Sequence, residues 1–221
     1  MKTKTILFLF LILFFCSSFT SSVAQALKDC KECGEYYLES IPEVASGIIF
    51  KDDFTFEFFF SSGALDRFGI GTWKEELSKD NKKMVVLNSD PSKKNPLSLA
   101  NSSRKKGKST TIKMIDINPS LSTYFIAIGF IDNDTVYTYC DQQGEAVLDG
   151  EIFDSLQIAF EFCPDHILSI PSTKNHNYFQ VKSDESLFEI FFRDFNLSVN
   201  ENGLEGNHPV IKGYYQYIKS K

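Results

Sequence analysis

The sequence predicts an all-β protein, with an N-terminal antiparallel meander or partial barrel followed by a C-terminal β-sandwich. Three observations predict it. Apolar residues fall at alternate positions, most plainly Phe54, Phe56, Phe58 and Phe60, which is the period of a strand with one buried face. Runs rich in Phe, Tyr, Ile and Val are broken by Gly, Asn and Asp turns roughly every eight to twelve residues. No amphipathic helix longer than about two turns can be traced.

The chain opens with Lys2 and Lys4, an apolar run from Ile6 to Phe15, and a polar stretch ending Ala24-Gln25-Ala26. That layout is a secretory signal peptide, and its apolar run is too short to span a bilayer. Cleavage after Ala26 is expected in preference to lipid attachment at Cys16, because Phe14 and Phe15 stand where lipidation needs a small residue. Removing residues 1–26 takes two lysines with it, so the formal net charge of −6 becomes two units more negative. An acidic mature chain argues against a general nucleic-acid binder, and no later segment is apolar for long enough to cross a membrane. The expected address is the periplasm, the cell envelope or the medium.

Residues 27–89 form the first predicted domain, a meander of "GEYYLESI", "SGIIF", "FTFEFFF", "GIGTWKEEL" and "KKMVVLNS", with Lys51-Asp52-Asp53 as a tight turn. Residues 90–111 hold two prolines, several serines and the cations Lys93, Lys94, Arg104, Lys105, Lys106 and Lys108. Such composition predicts an exposed basic linker or loop, able to touch an anionic surface through point charges. Residues 112–221 then return to short strands joined by turns such as Asp141–Gly144 and Asn200–Gly203, as in a sandwich.

Four cysteines remain after the signal: Cys30, Cys33, Cys140 and Cys163. In an oxidising compartment an even number predicts disulfides, and the expected pairs are Cys30 with Cys33 and Cys140 with Cys163. The alternative is metal handling, in which Cys30, Cys33, Cys163 and His166 supply soft ligands at C-x-x-C and C-x-x-H spacing. A closed thiolate site needs reduced sulfur, which the compartment opposes. The remaining motifs exclude more than they assign. No H-E-x-x-H, phosphate-loop or dinucleotide fingerprint occurs, and the serines of "FFSSGAL" precede the glycine instead of forming a nucleophile elbow. His166, His176 and His208 stand in polar stretches, where an exposed histidine is the common case.

Asp66 and Arg67, side by side between Gly63 and Gly69, remain with Trp73 as a candidate binding cluster. One of the two charges must face the apolar side of the hairpin, where it needs a partner. Phe59 joins them because it breaks the alternation of its strand and must be covered by something. No cofactor is implied. The composition leaves two functions of different class, a non-enzymatic binding or interaction module for an envelope protein or glycan, and a glycan-active hydrolase built from distant carboxylates.

The residues Gly34, Tyr36, Glu43, Ala45, Ser46, Gly47, Phe56, Gly63, Ala64, Asp66, Gly71, Trp73 and Leu87 form a pattern that resembles a group of uncharacterised exported bacterial proteins. The resemblance covers the N-terminal half and implies export and β-structure. The early C-x-x-C and the Gly71-Thr72-Trp73 triplet are also similar to the lipocalin-like meander of envelope-stress lipoproteins. In this chain the C-x-x-C precedes Gly34.

Overall fold

The computed structural model describes residues 30–39, 41–150, 152–171 and 175–220, so the expected signal peptide lies outside the described residues. Sixteen strands and two short 3-10 turns make up the described chain. Strands β1 (Gly34–Leu38), β2 (Val44–Phe50), β3 (Thr55–Ser62), β4 (Leu65–Leu77) and β5 (Lys83–Asn88) come first. They are followed by β6 (Leu97–Ser103), β7 (Ser109–Ile115), β8 (Phe125–Ile131), β9 (Asp134–Tyr139) and β10 (Glu145–Asp149). Next come β11 (Ser155–Phe160), β12 (Cys163–Pro171) and β13 (Tyr178–Ser183), and last β14 (Phe195–Val199), β15 (Gly203–Asn207) and β16 (Tyr214–Lys219).

The all-β expectation holds, and the meander closes. Strands β1 to β5 pair in sequence, β14 to β16 continue the order, and β16 pairs antiparallel with β1 through Tyr36↔Lys219 to complete an eight-stranded barrel. Closure leaves no edge strand exposed. The interior is filled by its own side chains, as expected for a barrel of this size. Phe56, Phe58 and Phe60 all point inward with Ile48, Phe50, Trp73, Leu197 and Tyr217, each at most 3% exposed. Burial of each Phe is worth about 1.5–3 kcal/mol.

Strands β6 to β13 form two four-stranded sheets, in the orders β10-β7-β13-β6 and β12-β11-β8-β9. Their facing sides share one core around Ile112, Phe125, Leu156, Phe160 and Val181. This second layer pair is inserted between the fifth and sixth barrel strands. The expected division into residues 27–89 and 112–221 is therefore corrected by the pairing: residues 195–219 belong to the barrel, because without them β1 and β5 would each present a bare edge. The expected linker at 90–111 is corrected too. Its first part does connect the two units, but Leu97–Ser103 and Ser109–Ile115 are strands, with Leu97 only 2% exposed and both prolines placed before the first strand.

The return connection does more than link. Strand β5 flanks only the second half of β4, from Thr72 onward, so the first half of β4, paired with β3 on one side, lacks a strand on the other. Residues 189–192 take that place. Phe68 bridges Glu189 in parallel, and the Ile190 N–H donates to the Phe68 carbonyl at 2.7 Å. Phe192 enters the barrel and meets Phe56 and Phe58 edge-on at ring separations of 5.1 and 5.5 Å. Gly69 makes room, since a Cβ there would lie 2.4 Å from the Phe192 ring.

Candidate functional site

The hairpin joining β3 and β4 turns at Gly63, whose φ of 60° suits a left-handed turn position. Asp66 and Arg67 follow within β4 and not in the turn, and alternation sends them to opposite sides. Asp66 is exposed, while Arg67 is 4% exposed. The guanidinium of Arg67 reaches across to the inserted unit and grips the Asp165 carboxylate with two contacts, 2.8 Å from Nη1 and 2.9 Å from Nη2. A bidentate pair is what makes such burial tolerable. Burial opposes the charge of Asp165, but the hydrogen bond and charge of Arg67 prevail and hold its carboxyl below the ordinary range.

Around this pair lies a seam between barrel and sandwich. His166 Nε2 is 2.7 Å from the Glu189 carbonyl oxygen, which makes that nitrogen the donor. Lys93 pairs with the buried Glu189 carboxylate. The ring of Phe191 is packed by His166 at 4.9 Å and flanked by Lys93 and Arg193. The seam is a fastening built from paired charges.

The other members of the expected cluster are not brought to Arg67. Trp73 is 3% exposed inside the barrel, where its Nε1–H donates to the Lys51 carbonyl at 3.1 Å and its ring packs on Phe50 and Phe54. Phe59 faces outward and is covered within its own sheet: its ring lies over Gly47, where a Cβ would come within 2.6 Å, and meets Tyr37 at 6.2 Å. An aromatic ring covering a strand glycine is a known way of shielding exposed backbone.

Cys30 and Cys33 form the expected disulfide. Cys140 and Cys163 do not pair; both are buried free thiols. The sheet explains this. Cys140 binds Phe125 of β8, Phe125 stands opposite Phe160 of β11, and Phe160 opposite Cys163 of β12. Three strand spacings of about 4.8 Å separate the sulfurs' strands, well beyond the reach of a bridge. Burial raises the Cys140 thiol to about 12 and the Cys163 thiol to about 11. The alternative metal set does not assemble either: Cys30 and Cys33 are bonded to each other against the barrel core, whereas Cys163 belongs to the sandwich core and His166 to the seam. Among the described residues no group of three metal-ligating side chains converges.

Two of the three histidines are buried, contrary to the loop expectation. His208 is 6% exposed; its Nδ1 accepts from the N–H groups of Val210 and Ile211, and its Nε2 lies 3.1 Å from Ser46 Oγ. With Nδ1 an acceptor, the neutral ring carries its proton on Nε2. Burial pushes its pKa down to about 4.

What sequence inspection missed is a cleft on the barrel flank, of about 660 Å³. Two cross-strand pairs of outward side chains, Thr55 with Thr72 and Glu57 with Ile70, line it. The connection from Asn88 to Lys93 supplies its wall. Ser89 pins that wall in place, donating from Oγ to the Ile70 carbonyl at 2.9 Å and accepting the Phe192 N–H at 3.1 Å. Ile70 is 46% exposed on the lining, and Asp90 is held below the ordinary carboxylate range by the Ser92 N–H and hydroxyl. The period-two pattern of β3 and β4 identifies the outward residues; the wall depends on a connection whose path the sequence does not reveal.

Barrel and cleft together define the class, an all-β protein made of a side-chain-filled barrel with a sandwich inserted between two of its strands. No protein family, curated protein or solved structure matches this chain. Among the described residues no helix is long and apolar enough to cross a membrane.

Proposed function

We propose that the chain is an exported, non-enzymatic binding module whose barrel serves as a scaffold, with a glycan as the ligand of the flank cleft. The observation that carries this reading is the cleft's composition. Ile70 and Pro91 offer an apolar surface, and Lys51, Glu57, Thr72, Asn88 and Asp90 surround it with hydrogen-bonding groups. A sugar ring has the matching chemistry, an apolar C–H face edged by hydroxyls, and concave sites with a few placed polar groups are the usual form of small-ligand sites. Export rests on the N-terminal segment, and the early disulfide suits that route.

Binding is favoured over hydrolysis by the state of the cleft carboxylates. A glycosidase needs one carboxyl raised enough to act as an acid. Asp90 is shifted in the opposite direction, and the half-exposed Glu57 is paired with Lys51. The test is calorimetry against neutral oligosaccharides, with Ile70→Trp and Thr72→Arg as variants that fill the cleft. Binding by the native protein that either substitution abolishes supports the reading. Affinities unchanged by both, or no binding at millimolar sugar, overturn it, and release of shorter sugars would favour the hydrolase.

A further inference from the structure

A second polar feature lies on the sandwich. Residues 91–115 carry seven Lys or Arg and no acidic residue, whereas the whole chain has 23 basic and 29 acidic residues, so the rest carries 16 basic against 29 acidic. Lys93 and Lys113 are engaged by Glu189 and Glu145. Lys105, Lys106 and Lys108 fall in the single turn between β6 and β7, next to Arg104, which is itself engaged. Among the described residues the nearest acid by strand register is Asp149, opposite Ser109.

This turn is built to hold its shape. Asn177, 3% exposed, accepts the Lys105 N–H on its side-chain oxygen at 2.8 Å and donates from Nδ2 to the Ser109 carbonyl at 3.0 Å. Its own N–H donates to the Ser103 carbonyl, and its carbonyl accepts from Thr111. Lys105 Nζ rests over the Tyr178 ring at 3.1 Å, a cation–π contact that fixes the ammonium group. Beside the turn opens a hollow of about 470 Å³, where Leu99, Ile170 and Phe179 meet the hydrogen-bonded pair Ser102 and His176, whose Oγ and Nδ1 are 2.7 Å apart.

We infer that this end of the sandwich binds an acidic polysaccharide, its anionic groups meeting the 104–108 turn and a sugar unit lying in the hollow beside Leu99 and His176. The hollow decides between a polymer chain and a membrane. A flat anionic surface would meet the cations of the turn but place nothing in the hollow, and Arg104-Lys105-Lys106-Gly107-Lys108 offers no apolar residue to insert into a bilayer. The site also lies apart from the cleft. Strand β6 leaves the barrel side at Pro96, whose carbonyl accepts from Asp184, and its seven residues carry the chain about 20 Å away. A chain held there leaves the barrel flank open.

The inference goes beyond the flank cleft and rests only on the protein's being a binding module, so its test uses different residues. Heparin serves as the acidic polysaccharide, dextran as its neutral counterpart, and phosphatidylglycerol vesicles as the membrane surface. The expected result is heparin binding that weakens about tenfold or more between roughly 50 and 200 mM salt, with no dextran binding. Lys106→Ser with Lys108→Ser is expected to weaken it at least about fivefold and Leu99→Asp at least about threefold, with circular dichroism unchanged. Heparin affinity indifferent to the lysine pair overturns the inference, as does vesicle binding of equal strength that Leu99→Asp leaves untouched. The Ile70 and Thr72 variants of the barrel are expected to bind heparin as the native protein does, which separates failure here from failure at the cleft.

Discussion

Arg67 shows what a charge needs in order to sit at the mouth of an aromatic core. Its two contacts to Asp165 are its means of neutralisation, and its Nε has no hydrogen-bond partner. Removing Asp165 should therefore cost more than removing both partners, because an unpaired buried cation is left behind. Asp165→Ala is expected to destabilise by about 2–3 kcal/mol, reduced from a fully buried pair because Asp165 is 43% exposed. Arg67→Met combined with Asp165→Ala should recover at least half of that in urea unfolding, and equal losses would refute the account. His208 sets a pH window. Its folded pKa of about 4 lies below the unfolded value of about 6.5, so between them only the unfolded chain takes up the proton. The stability it contributes is complete above about pH 6.5 and is lost as pH falls toward 4. His208→Gln should flatten that part of the stability curve. Asp165 acts in a separate, lower window, because its lowered carboxyl loses its contribution only as pH falls through the acid range.

Strand β3 illustrates the division of labour within an element. Its inward row, Phe56, Phe58 and Phe60, packs the barrel, and its outward row divides between the cover over Gly47 and the cleft. Gly47→Ala places a Cβ 2.6 Å from the Phe59 ring and 2.8 Å from the Tyr36 carbonyl oxygen. The ring can move but the carbonyl cannot, so a loss of about 1–3 kcal/mol is expected in thermal unfolding. Phe192 belongs to no strand, yet it fills the gap that β5 leaves, and Phe192→Ala should cost about 3–5 kcal/mol as a buried aromatic truncation. The alternate phenylalanines made the inward face of β3 legible in the sequence except at Phe54, which precedes the strand at a turn with a φ of 62° and is 59% exposed. Phe192, within "LFEIFFRDF", carries the same local signal as a strand residue, and only the shortness of β5 gives it a different task.

For the molecule as a whole, the barrel is assembled from two segments, β1–β5 and β14–β16, separated by residues 89–194, and the inserted strands' ends meet where Asp184 N–H donates to the Pro96 carbonyl at 3.1 Å. Replacing residues 97–183 with a short Gly-Ser linker, with Arg67→Met to remove the charge left unpaired, should yield a folded barrel that retains the near-ultraviolet signal of Trp73. Truncation after residue 194 should abolish that signal, because the ring then lacks three of its eight strands. A truncated chain with Trp73 still immobilised would show that five strands suffice.

Strand content, the inward Phe56, Phe58 and Phe60, the Cys30–Cys33 bridge and the need of either Asp66 or Arg67 for a partner were all determined by the sequence itself, because each follows from spacing within a few residues. Tertiary structure alone decided that β16 pairs β1, that Asp165 is the partner of Arg67, that Cys140 and Cys163 stay apart, and that a cleft forms beside Ile70. The physical reason is that alternation specifies which face of a strand is buried but carries no information about its neighbour. Neighbours are settled by closing a ring with no edge left bare, a condition that involves all eight barrel strands at once.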